Sequence, residues 1–124
     1  MDAKPKTILI ADDDKAIVDS ISDILDILGY EVLKVPDGTS VIEAVKALPD
    51  LILLDIQMPG HSGPTVCRQL KRQASTKDIP VIIVSASMDI KQKAEEAGAD
   101  DYLEKPFDMD ILQQKVFNLL NRQL

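Results

Sequence analysis

Asp12, Asp13, Asp55, Ser85 and Lys105 each fall at, or directly after, the carboxyl end of a short apolar run. If those ends meet, three carboxylates are forced together, and either some take up protons or a cation neutralises them. Carboxylate oxygens without a matching set of histidine and cysteine ligands suit a hard ion, Mg²⁺ or Mn²⁺. A structural zinc site is excluded, because the chain has one histidine, His61, and one cysteine, Cys67, both distant in sequence from the acidic cluster. Lys105 adds a mobile cation and Ser85 a hydroxyl donor. A carboxylate nucleophile, a metal, an ammonium and a hydroxyl are what phosphoryl transfer to an aspartate requires, since its cost lies in positioning and neutralising phosphoryl oxygens.

The elements that must position these residues are legible as apolar runs alternating with stretches of helical period. Thr7 to Ala11, Leu51 to Asp55 and Pro80 to Ser85 are nearly continuous apolar runs, as buried parallel strands should be. Tyr30 to Val35 is the second strand and Asp101 to Glu104 a brief fifth one.

Ile17, Val18, Ile21, Ile24, Leu25 and Leu28 give the inner face of a first helix, with Asp14 as its cap and Gly29 where its carboxyl end falls. Pro36-Asp37-Gly38 makes a turn, and Val41, Ile42, Val45 and Leu48 mark helix two. After a loop from Ile56 to Gly63, Pro64 opens helix three, whose inner face is Val66, Cys67 and Leu70. Helix four runs from about Ile90 to Ala97 with Asp89 before it as a cap, and Ile111, Leu112, Val116, Leu119 and Leu120 define the last helix. Lys71, Arg72, Lys91 and Lys93 read as solvated helix faces, and His61 as a solvent-facing loop residue.

This pattern predicts an α/β, doubly wound, five-stranded parallel sheet flanked by five helices. Short right-handed crossovers give the strand order 2-1-3-4-5, which sets strands one and three side by side at a topological switch point. Asp12, Asp13 and Asp55 should converge there.

At 124 residues and 45% hydrophobic composition, the chain is expected to be one domain, residues 1–124 with a core over about 6–122. No apolar run approaches the ~20 residues of a membrane-spanning helix. The segment Met1-Asp2-Ala3-Lys4-Pro5-Lys6 lacks the apolar core of a secretion signal, so a cytoplasmic location is expected. A net charge of −7 argues against direct contact with nucleic acid or an anionic membrane and points to protein partners.

Four stretches carry a family resemblance: Ile8 to Asp14, Asp50 to Gly60, Pro80 to Ala86, and Gly98 to Phe107. In order, they resemble the receiver domain of two-component response regulators, over essentially the whole chain. The resemblance implies that Asp55 is the phosphoacceptor, Asp13 a direct Mg²⁺ ligand and Asp12 a ligand acting mainly through water, with the backbone carbonyl of Gln57 completing the protein's share. Mn²⁺ is a substitute metal.

It further implies that Ser85 and Lys105 bind phosphoryl oxygens, that Tyr102 is the switch aromatic, and that a cis bond precedes Pro106. The implied phosphodonor is a sensor histidine kinase or a histidine phosphotransfer protein. The output surface is that of helix four, strand five and helix five, acting on a downstream protein or a missing effector domain, with homodimerisation on phosphorylation left open. The chain is then a signalling switch rather than an enzyme.

The sequence departs from the family's pattern at His61-Ser62, in a short interval from Ser85 to Lys105, and in the identities of Gln57 and Ser87, positions associated with phosphoryl lifetime. Two other functions fit parts of the pattern. A haloacid-dehalogenase-type phosphatase would place its nucleophile at Asp12 and leave Asp55 unexplained. A receiver-like interaction module would keep the fold and take no phosphate. A flavodoxin-like cofactor protein is disfavoured because no Gly/Ser/Thr-rich loop follows the first strand.

Overall fold

The computed structural model describes residues 4–122. Met1-Asp2-Ala3, part of the segment read above for a secretion signal, and Gln123-Leu124, within the expected domain limits, lie outside the described residues. Strands β1 (Thr7–Ala11), β2 (Glu31–Val35), β3 (Leu51–Asp55), β4 (Val81–Ser85) and β5 (Asp101–Glu104) alternate with helices α1 (Lys15–Ile27), α2 (Gly38–Ala44), α3 (Gly63–Lys71), α4 (Ile90–Ala97) and α5 (Met109–Leu120). The sheet is parallel throughout, in the order β2-β1-β3-β4-β5. No described helix is long and apolar enough to cross a membrane.

Every residue of β3 and β4 is buried, which explains their unbroken apolar runs: both sheet faces are covered by helices. Side chains alternate between two cores. Leu9, Ile52, Leu54 and Ile83 pack with Val41, Val66 and Ala94 of α2, α3 and α4, while Ile8, Ile10, Leu53 and Ile82 pack with Ile21, Leu25 and Leu112 of α1 and α5.

The helix ends follow local chemistry. The Asp14 carboxylate accepts from the Ala16 and Ile17 amides, as expected of a cap. Gly29, at φ +94, turns the chain out of α1 into β2. Helix three opens one residue earlier than Pro64, at Gly63, with Ser62 as its cap.

Five residues depart from their expected places. Helix two ends at Ala44, followed by a 3₁₀ turn over Val45–Ala47 and a left-handed Leu48, so Leu48 points outward, 57% exposed, instead of lining the core. Leu28 and Ile111, assigned to inner faces, are likewise exposed, Leu28 because it is the final cap position of α1.

Asp89 precedes α4 but bonds none of its amides, because its carboxylate is taken by Ser87 and Lys93. Lys71 is no solvated face: its Nζ donates to the carbonyls of Lys77 and Ile79 and to Asp100 Oδ2, at 3.2, 2.8 and 2.8 Å. Asp100 Oδ2 also accepts from the Val81 amide, so this ion pair ties the end of α3 to the starts of β4 and β5.

Candidate functional site

Strand register brings the site together. Ala11 lies opposite Leu54 and Val84 opposite Asp55, so Asp12, Asp55 and Ser85 follow one another across the carboxyl edge of β1, β3 and β4. Ser85 lies opposite Glu104, which puts Lys105 next in line, its amide donating to the Ser85 carbonyl at 2.8 Å. From Ile8, Leu51 and Val81 onward, β1, β3 and β4 are apolar until their carboxyl ends, and the first polar residue met along each, Asp12, Asp55 and Ser85, falls at this edge.

Carboxylate oxygens of Asp12, Asp13 and Asp55 all lie within 4.8 Å of one another. Asp12 and Asp55 are buried and Asp13 is exposed, so the cluster opens to solvent on one side. Lys105 Nζ sits 3.1 Å from Asp12 Oδ2 and 3.7 Å from Asp55 Oδ1. Asp12 Oδ1 is occupied by the Asp14 amide at 2.9 Å, which fixes the carboxylate's orientation.

One ammonium cannot neutralise three carboxylates. Burial, and then repulsion from Asp12, push the Asp55 carboxyl from its ordinary 3.8 up to about 6, against the pull of Lys105. An all-oxygen donor set with excess negative charge and an open side fits a hard divalent cation that keeps part of its water shell.

The Ser85 side chain is buried, and its Oγ accepts from the Ser87 amide at 3.0 Å. Gln57 is exposed in the bend after β3. Tyr102 is half-buried on β5, packed against the core beneath α4, with Lys115 Nζ 5.6 Å from its ring centre. The Lys105–Pro106 bond is cis, as expected. His61 is exposed, and Cys67 is buried in α3, where burial pushes its thiol up to about 11.

Gly63, a positioning residue, is not among the residues singled out from the sequence. A Cβ there would stand 2.2 Å from the Asp55 carbonyl oxygen, so the start of α3 packs directly on the backbone of Asp55. Its amide donates to the Ile56 carbonyl at 3.0 Å, pinning the turn after β3. The available signal was a glycine directly before Pro64, at the end of the loop that follows the third strand.

The class defined by this fold and site is a doubly wound α/β domain with an acidic cluster and one lysine at its switch point. Residues 8–117 match the response regulator receiver domain model, and the chain belongs to that family. It is 45% identical over 118 residues to the DNA-binding dual master transcriptional regulator RpaA of Synechocystis sp., covering 93% of this chain and 49% of that protein.

A crystal structure of a putative response regulator from Chloroflexus aurantiacus superposes with a TM-score of 0.91 at 37% identity, covering 96% of this chain and 100% of that one. The receiver domain of the sensor histidine kinase PA1611 from Pseudomonas aeruginosa, with a magnesium ion in its active site cleft, superposes with a TM-score of 0.88 at 27% identity, covering 95% of this chain and 99% of that one. The chain spans about half the length of the curated relatives it matches. The chain is thus a receiver domain, and neither the phosphatase nor the flavodoxin-like alternative is favoured.

Proposed function

We propose that Asp55 accepts a phosphoryl group from a phosphohistidine on a sensor kinase or phosphotransfer protein, and that this event switches the surface of α4, β5 and α5. The observation that carries this reading is the convergence of Asp12, Asp13 and Asp55 within 4.8 Å, with Lys105 bridging two of them.

An Asp55 carboxylate oxygen attacks phosphorus. A new P–O bond forms as the donor's P–N bond breaks, and the imidazole leaves with the bonding electrons. Asp13 would hold Mg²⁺ directly, Asp12 chiefly through water, with Asp55 and the Gln57 carbonyl as further ligands; Mn²⁺ would substitute. Bound there, the ion supplies positive charge against the carboxylates and phosphoryl oxygens.

Lys105 pairs with one phosphoryl oxygen and the Ser85 hydroxyl donates to another. Phosphorylation adds about 1.5 to 2 negative charges at this point. The two conformations differ in what Ser85 and Tyr102 touch, and only that difference moves the population. A partner preferring the phosphorylated surface favours phosphorylation in return. The chain acts as a switch that catalyses only its own phosphorylation and dephosphorylation, within one domain spanning the chain. Its output passes to a protein target or an effector domain, as the match to a transcriptional regulator suggests.

Incubation with Mg²⁺ and acetyl phosphate or phosphoramidate, followed by intact mass, tests the reading. One added phosphoryl group in the native chain, none in Asp55→Asn and none with EDTA is the expected result. If the native chain stays unmodified and also binds no beryllium fluoride, the phosphate-independent module replaces this reading.

A further inference from the structure

Between β4 and α4 runs a chain of contacts that the phosphoacceptor site does not by itself require. The Ser87 amide donates to Ser85 Oγ at 3.0 Å, the Ser87 hydroxyl donates to Asp89 Oδ1, and Asp89 Oδ2 pairs with Lys93 Nζ at 3.6 Å. Asp89 stands at the cap position of α4 yet accepts no bond from an amide of that helix. An aspartate at such a position ordinarily caps the helix. Here its carboxylate is turned back to the preceding loop.

The consequence falls on Ser85. A hydroxyl both donates and accepts, and which it offers to an incoming group depends on what already engages it. With the Ser87 amide on its oxygen, Ser85 has its proton left to give, and no bond donated by that hydroxyl is found among the described residues. Ser85 is therefore poised as a donor at the edge where Asp55 lies. The Ser87 side chain is held in turn by Asp89, which pairs with Lys93 from the next turn of α4.

We propose that Asp89 is a positioning residue for phosphoryl recognition: acting through Ser87, it orients the Ser85 hydroxyl as a donor to the phosphoryl group on Asp55. This rests on Asp55 being the phosphoacceptor. Asp89 touches no reacting atom, and its contribution is preorganisation, which spares the site the ordering of Ser85 when the phosphoryl group arrives.

The test is titration of the Mg²⁺-loaded chain with beryllium fluoride, a phosphoryl mimic, followed by tyrosine fluorescence and one-dimensional NMR. Asp89→Ala and Ser87→Ala each weaken binding about three- to tenfold, the loss of one hydrogen bond's contribution. The double variant is no weaker than either single one, because the two residues act as one unit. Asp89→Asn keeps an acceptor for the Ser87 hydroxyl and retains the native affinity within about twofold.

Mg²⁺ affinity stays unchanged in all of these variants, which a general loosening of the site would not allow. Equal affinity in the native chain and Asp89→Ala overturns the proposal, as do additive losses in the double variant. No binding by the native chain overturns the phosphoacceptor reading itself, and this proposal with it.

Discussion

Replacing Asp55 by asparagine should make the metal-free protein more stable, by an amount that grows with pH. Burial is the largest influence on this carboxyl and Asp12 the next, and together they raise it from 3.8 to about 6 in spite of Lys105. Its folded value lies above its unfolded one. The stability it leaves intact is therefore fully present below the unfolded value and lost as pH rises through about 6.

A shift of about two units corresponds to about 3 kcal/mol lost by about pH 8, and roughly half of that already at about pH 5. The asparagine side chain keeps the shape and removes the charge, so Asp55→Asn should exceed the native chain by up to about 3 kcal/mol near pH 8 and converge on it near pH 4. Urea unfolding of both chains in EDTA across this range measures the difference directly. Saturating Mg²⁺ should narrow it, since a ligand of the folded state stabilises the native chain. A difference independent of pH, or an asparagine variant less stable at pH 8, would refute the argument that three crowded carboxylates are held together at a cost.

Other perturbations probe the surrounding parts. Lys105→Met removes the cation 3.1 Å from Asp12 and 3.7 Å from Asp55. Phosphoryl uptake from acetyl phosphate, followed by intact mass, should slow about tenfold or more, while Mg²⁺, titrated calorimetrically, binds more tightly to the uncompensated carboxylates. Gly63→Ala sets a methyl group against the Asp55 carbonyl, 2.2 Å away before relaxation. Both the thermal midpoint and the rate of phosphoryl uptake should fall. Lys71→Met leaves Asp100 with fewer partners and should cost about 2–3 kcal/mol in urea unfolding near neutral pH. Burial pulls the Asp100 carboxyl up, but bonds from Lys71, the Val81 amide and Arg122 outweigh it and hold the carboxyl below its ordinary value. Its stabilisation is present above the unfolded value and lost as pH falls through the folded one, so the native chain's advantage over Lys71→Met should shrink in acid.

The central strands were legible because burial on both faces leaves short unbroken apolar runs: Leu51 to Leu54 and Val81 to Val84 are apolar without interruption. Once strands one and three were set side by side, the meeting of Asp12, Asp13 and Asp55 followed from where each apolar run stopped.

What escaped the sequence depends on contacts between distant segments. Lys71 looks like any exposed lysine until the Lys77 and Ile79 carbonyls and Asp100 are folded around it. Leu48 fits the helical period yet lies past a 3₁₀ turn, in a left-handed conformation that periodicity does not encode. Asp89 has the type and place of a cap, and only the positions of Ser87 and Lys93 show that its carboxylate is spent elsewhere.

The central claim, that Asp55 carries the phosphoryl group, is tested most directly by borohydride reduction of the phosphorylated chain, which converts an acyl phosphate to an alcohol and so marks the acceptor aspartate as homoserine. Peptide mapping should find the conversion at Asp55 alone, and only in samples given Mg²⁺ and a phosphodonor. Conversion at Asp12, or none in a chain whose mass has risen by one phosphoryl group, would contradict it.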